Sequence, residues 1–269
     1  MSAPQRRAQA EAVDAAPPPS LLRQFWEQFG TLLVAVAIAL AIRSCVIEPY
    51  RIPSESMLPT LLVGDHLFVN KFVYGIKIPF TDLRLPGWRE PRRGDVVVFD
   101  VARDRYGGIF PVDLRPELSE DRFVKRIVGV PGDAVEVRDG RLRINGEPVP
   151  LEPTGESVRD EEGRLLRVGH ETLDGRTHAV ADDPEQGGPQ RRSITLDPGR
   201  YFMMGDNRDH SNDSRLWGTV RLADMKGPAF VLYWSWDWNG SWGELLNPLT
   251  WWELLSERMR WDRIGDGIR

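Results

Sequence analysis

Three places in the chain carry side chains whose types and spacing could do chemistry. The first is IPSESMLPTLLVGD, residues 52–65, where Ser54 and Ser56 flank Glu55 and Pro53 and Pro59 bracket the group. A serine hydroxyl is a weak nucleophile until a base takes its proton. Histidine is the usual base, yet none of the four histidines (His66, His170, His178, His210) is placed suggestively. The Gly-x-Ser-x-Gly elbow is also absent around Ser56.

The second place supplies another base. Only four lysines (Lys71, Lys77, Lys125, Lys226) stand among the 35 Lys and Arg residues. Lys125 lies within RFVKRIVGV, where alternation puts it on the same strand face as Phe123 and Ile127. Desolvation disfavours the charged amine, so a buried lysine loses its proton more readily. Half-neutrality at pH 7 needs roughly 4–5 kcal/mol against a reference pKa of about 10.4. Full burial shifts lysines by about 3–5 units, which meets that demand. Arginine could not serve. A surface lysine whose stem snorkels along the fold is the competing reading.

The third place is MGDNRDHSNDSRLWG, residues 204–218. A calcium-loop reading fails: counting from Asp209, the sixth position is Ser214 rather than Gly and the twelfth is Val220 rather than Glu. Its polar residues, flanked by Met204 and Trp217, suggest a buried network in which Asp206, Arg208, Asp213 and Arg215 pair with one another and with Arg126. A plain polar turn is the alternative.

These groups need elements to hold them. Residues 1–28 read as a disordered tail rich in Ala, Pro and Gln. Leu32 to Ile42 is uninterrupted apolar sequence, and residues 29–47 give roughly 28 Å of helix, enough for one membrane span. Arg43 can snorkel there, and Trp26 and Tyr50 stand where interfacial aromatics belong. A buried core helix and a cleaved signal peptide compete with this reading. Arg43 speaks against a lipoprotein anchor at Cys45, and arginines on both sides of the run leave the orientation open.

Beyond the run, short β-type stretches separated by Gly, Pro and Asp predict a mainly β protein with an antiparallel catalytic core. The core comprises 48–138 and 200–269, and 139–199 is an inserted, loop-rich subdomain. Asp139-Gly140 is a two-residue hairpin signal. Residues 155–192, rich in charge, Gly and Pro, read equally as a solvated loop region. Trp234, Trp236 and Trp238 share one strand face, suited to core packing or to a membrane interface. The single cysteine excludes an intrachain disulfide, and the widely spaced histidines give no metal-ligand pattern. A net charge of -5 gives no reason to expect a nucleic-acid partner.

EPYRIPSESMLPTLLVGD, RGDVVVF, RFVKRIVGVPGD and GDNRDHSNDSRLWG, in that order, resemble bacterial type I signal (leader) peptidases, as does RWDRIG at 260–265. The resemblance covers nearly everything from the apolar run to Trp217. It implies a membrane-anchored, mainly β serine endopeptidase with a Ser/Lys dyad and no cofactor or metal. By motif position Ser56 is then the nucleophile and Lys125 the general base. Ser54 joins the Ser56 backbone N–H at the oxyanion, and Ser211 positions the lysine amine. Asp206, Arg126, Asp213 and Arg215 are structural members of the site. The partners implied are the lipid bilayer and secretory preproteins, cut after small residues at the first and third positions before the bond. The tail is then cytoplasmic, and the catalytic body lies on the outer face of the plasma (inner) membrane. Two departures stand out: His210 replaces a usual asparagine, and Glu55 stands where a smaller residue is common. Self-cleaving repressors share dyad chemistry but carry a DNA-binding domain, for which this tail is too short. A membrane-tethered β-domain that only binds partners would not require lysine at 125.

Overall fold

The alternating runs become antiparallel strands. The structure, a computed structural model, describes Trp26, residues 29–36, Ile38, and residues 46–75, 85–237 and 248–268. The first strands are β1 (Ile47–Arg51), β2 (Asp65–Asn70), β3 (Val96–Arg103), β4 (Ile109–Phe110) and the long β5 (Ser119–Gly129). Next come β6 (Ala134–Arg138), β7 (Arg141–Ile144), β8 (Glu147–Pro148), β9 (Leu151–Arg159), β10 (Leu165–Leu173), β11 (Arg176–Asp182) and β12 (Arg191–Thr195). The chain then returns through β13 (Arg200–Met204), β14 (Val220–Arg221) and β15 (Met225–Ser235).

The main sheet runs β1-β2-β15-β3-β5-β13-β14, with β4 paired to β3. Two smaller sheets, β12-β6-β7-β8 and β11-β10-β9, are made entirely of chain between β5 and β13. Both faces of the main sheet are covered near β5. Val96, Val98 and Val124 pack with Ile52, Met57 and Leu61, whereas Val97, Phe99 and Ile127 pack with Tyr201, Met203 and Met225. That double cover explains why β3, next to β5, reads as a nearly continuous apolar run.

Within 155–192 the solvated-loop reading does not hold. Strands β9 to β11 run through the segment and bury Leu166, Val168, Leu173, Val180 and Ala181. The turn signal was there to be read. Asp174-Gly175 has φ of 48° and 76°, close to the 50° and 71° of Asp139-Gly140, and both close two-residue hairpins. The boundary expected at Asp139 falls inside the β6–β7 hairpin, because β6 pairs β7 and β12 rather than the main sheet.

Met1–Ser44 and Cys45–Arg269 are separate units. Residues 29–36 and Ile38 are helical. Among the described residues no helix is long and apolar enough to cross a membrane; the remainder of the expected 29–45 part of the span lies outside them. Trp234 and Trp236 are half-buried and meet edge to face at 5.8 Å, while Trp238 lies outside the described residues. Trp251, Trp252 and Trp261 are exposed.

Candidate active site

The chain leaves β1 through Pro53, and Glu55–Met57 makes a single 3₁₀ turn. Met57, buried with Ile52 and Leu61, anchors that turn in the core. Its carbonyls are also tied down. Leu58 N–H donates to Glu55 O at 2.9 Å, Asn207 N–H to Ser56 O at 3.2 Å, and Asn207 Nδ2 to Glu55 O at 3.3 Å. Gly205 allows this approach, since a Cβ there would stand 2.3 Å from Ser56 O and from Ser211 Oγ. The turn is therefore fixed from two directions and leaves Ser54, Glu55 and Ser56 lining a cleft of 630 Å³.

β5 brings Lys125 into the same cleft with its Nζ 2.5 Å from Ser56 Oγ. The lysine is 3% exposed, and among the described residues no carboxylate forms an ion pair with it. Burial pushes its pKa down to about 8, against the upward pull of the Asp213 and Asp206 charges. The competing surface-lysine reading is thereby overturned: the side chain is buried at the foot of the cleft and does not run along the surface. Ser54 Oγ lies 3.4 Å from Ser56 Oγ, on the cleft side.

Behind the lysine stands a network of paired charges. Arg126 donates through Nε and Nη2 to Asp206 at 2.8 and 2.6 Å, and through Nη1 to Gly94 O at 2.7 Å. Asp213 accepts from Arg215 Nε and Nη2 at 2.8 and 2.7 Å and from Gly205 N–H at 3.0 Å. Arg208 forks onto Glu171 of β10 at 2.6 and 2.5 Å, and the pairing holds that carboxyl down at about 2 despite burial. The expectation for Ser211 differs from what is seen. Its Oγ is buried and, among the described residues, makes no hydrogen bond, so it does not hold the Lys125 amine in this state.

One member of the site lies outside every motif, and others sit in motifs that do not reveal their partners. Glu171 pairs Arg208 from a distance of 37 residues, and nothing in its local sequence marks it. Asp65 is fully buried and accepts from Ser235 Oγ at 2.6 Å and Arg263 Nη2 at 2.6 Å, while Arg263 also reaches Thr60 O at 3.0 Å. RWDRIG thus clasps the loop that follows Ser56. His210 lines the cleft and contacts Asp183 at 3.1 Å. Among the described residues no cluster of His, Cys, Asp and Glu could hold a metal ion.

An amine that can be neutral, held against a hydroxyl beside an open cleft, is equipped for base-assisted nucleophilic attack. The relatives agree with that chemistry. A model of the signal peptidase, peptidase S26, family matches residues 25–234. The signal peptidase I of Pseudomonas aeruginosa is 36% identical over 257 residues, covering 87% of this chain and 84% of that one. That of Pseudomonas fluorescens is 37% identical over 235 residues, covering 80% and 74%. That of Haemophilus influenzae is 31% identical over 242 residues, covering 78% and 69%. With the matched region taking in the serine turn, β5 and residues 204–218, the chain belongs to the signal peptidase, peptidase S26, family.

Proposed function

We propose that Ser56 and Lys125 carry out the hydrolysis by which this signal peptidase removes signal peptides from exported preproteins. The observation that carries the assignment is the 2.5 Å approach of Lys125 Nζ to Ser56 Oγ, with the amine buried and free of any carboxylate ion pair among the described residues. Neutral Lys125 takes the Ser56 proton as Oγ attacks the carbonyl at the end of the signal peptide. The tetrahedral oxyanion accepts hydrogen bonds from the Ser56 backbone N–H and the Ser54 hydroxyl. The lysine then gives its proton to the leaving amine, and the same amine activates the water that releases the acyl-enzyme.

Ser211 is proposed to steady the amine once the proton has moved, because its Oγ is buried and still free to bond. Asp206, Arg126, Asp213 and Arg215 act by holding the strand and turn that carry the dyad. Small residues before the cut are expected of the substrate, since bulky ones would clash in pockets shaped for small side chains.

The membrane reading is supported by the N-terminal helix. Leu32, Leu33 and Val34 are consecutive, so they point to different sides of the helix, yet all three are more than half exposed. A helix apolar all round calls for lipid as its solvent. We therefore read the apolar run from residue 29 as a single span that ends before the turn at Val46 and β1, 1–28 as a cytoplasmic tail, and the body as lying on the outer face of the bacterial inner membrane. The body divides into a catalytic core and an inserted subdomain built from β6 to β12.

The test is preprotein cleavage by the full chain in detergent. Ser56→Ala and Lys125→Ala should each reduce turnover by about 10³-fold or more. Cleavage by Ser56→Ala at the wild-type rate would sink the assignment.

A further inference from the structure

Glu55 stands between the two serines, and none of the chemistry above uses its side chain. Its carboxylate is nonetheless engaged: Oε1 accepts the Glu161 N–H at 2.7 Å. Glu161 belongs to the turn joining β9 to β10, 106 residues further along the chain. That turn is stiff in itself. Buried Asp160 accepts the Arg164 N–H at 2.8 Å and Arg164 Nε at 2.6 Å, and Gly163 N–H closes onto Asp160 O at 3.0 Å. Glu161, Glu162 and Arg164 line the same cleft as Ser54 and Ser56.

The three-stranded sheet that carries this turn is attached to the site along its β11 edge. There Ala181 N–H donates to Asp206 O and Arg208 N–H donates to Ala181 O, each at 2.8 Å. The β9–β10 turn lies toward the other edge and meets the serine turn through Glu55. Leu58 and Leu62 pack with Val158 and Leu166 and hold the strands on either side of the turn, while the Glu55 bond fixes the tip of the turn at the cleft.

We propose that Glu55 is a positioning residue that sets the β9–β10 turn as one wall of the substrate cleft, so that peptide binding depends on it more than bond cleavage does. The inference rests on the cleft beside Ser56 being where the preprotein chain lies. Removing the side chain leaves the Glu55 carbonyl bonded to Leu58 N–H and Asn207 Nδ2, so Ser56 keeps its place against Lys125. What is lost is the wall.

The experiment uses the full chain in detergent with a preprotein substrate, and reads steady-state kinetics beside amide hydrogen exchange at Glu161. Glu55→Ala should raise KM about fivefold with kcat within about twofold, and should speed exchange at the Glu161 amide about tenfold. Glu55→Gln offers the same N–H an amide oxygen and should recover the protection and most of the KM. Unchanged exchange in Glu55→Ala overturns the tether. So does a Glu55→Gln variant as impaired as Glu55→Ala. Faster exchange with an unchanged KM, or a loss confined to kcat, overturns the wall. Exchange needs no turnover, so it reads the tether whether or not Ser56→Ala upholds the dyad.

Discussion

Lys125 and Arg126 are neighbours on β5 and equally hidden, at 3% and 1% exposure, yet their surroundings differ in kind. Arg126 meets the Asp206 carboxylate through two hydrogen bonds and Gly94 O through a third. Lys125 meets a neutral hydroxyl. Desolvation presses on both cations. A buried amine yields to that pressure by losing its proton, whereas a guanidinium cannot and needs the carboxylate that answers it, so one residue serves structure and its neighbour can become a base. Two adjacent positions thus separate structure from chemistry by the partner each is given.

The comparison breaks most severely if the base is made permanently cationic. Lys125→Arg should lose about 10³–10⁴-fold in turnover, since a guanidinium keeps its proton at any working pH, and preprotein cleavage measures it. Next comes removal of the partner on the other side. Asp206→Ala leaves Arg126 buried and unpaired, and should destabilise the body by about 3–5 kcal/mol in denaturant titration.

A third variant sharpens the contrast by improving stability while abolishing function. The folded pKa of Lys125, about 8, lies below its unfolded value of 10.5. Between those pH values the unfolded chain binds the extra proton, so stability rises with pH there, and below pH 8 the full penalty is present. Lys125→Met should therefore be roughly 3 kcal/mol more stable than wild type at pH 7 and should flatten that alkaline rise. Glu171 also makes stability rise with pH, but there the buried charge is the favoured form. Its pKa is held down at about 2 from 4.5, so the stability it contributes is present above pH 4.5 and is lost as pH falls toward 2.

In the wild type, cleavage should climb with an apparent pKa near 8 and then level; a rate still rising at pH 10 would exclude the buried base. The smallest effect belongs to Ser211→Ala. Because Ser211 makes no bond to the amine in the free enzyme, we expect less than about tenfold in turnover, with a displaced pH profile as the diagnostic.

Much of the site was legible because its motifs are local. Glu55–Met57, Lys125 with Arg126, and the 204–218 segment each carry their chemistry in a few consecutive residues. The hairpin at Asp139-Gly140 was legible for the same reason, since only a residue pair tolerant of positive φ closes so tight a turn. The strands of 151–182 were harder to read, because partly exposed strands bearing many charges show little alternation. Contacts across the fold left no trace at all. Asp65 with Arg263 spans 198 residues and Glu55 with Glu161 spans 106, and neither side of either pair announces the other.

The sequence by itself determined the residue types: lysine and not arginine at 125, serine at 56, a mainly β rhythm, and an apolar run ahead of them. Whether Lys125 could act as a base was decided only by the tertiary structure. Its pKa depends on water being excluded by strands far away in the chain and on Asp206 and Asp213 being claimed by arginines. Glu55 is the plainest case of the same division. Its type and place were visible from the start, but its partner is chosen by the packing of a turn that folding brings to the cleft.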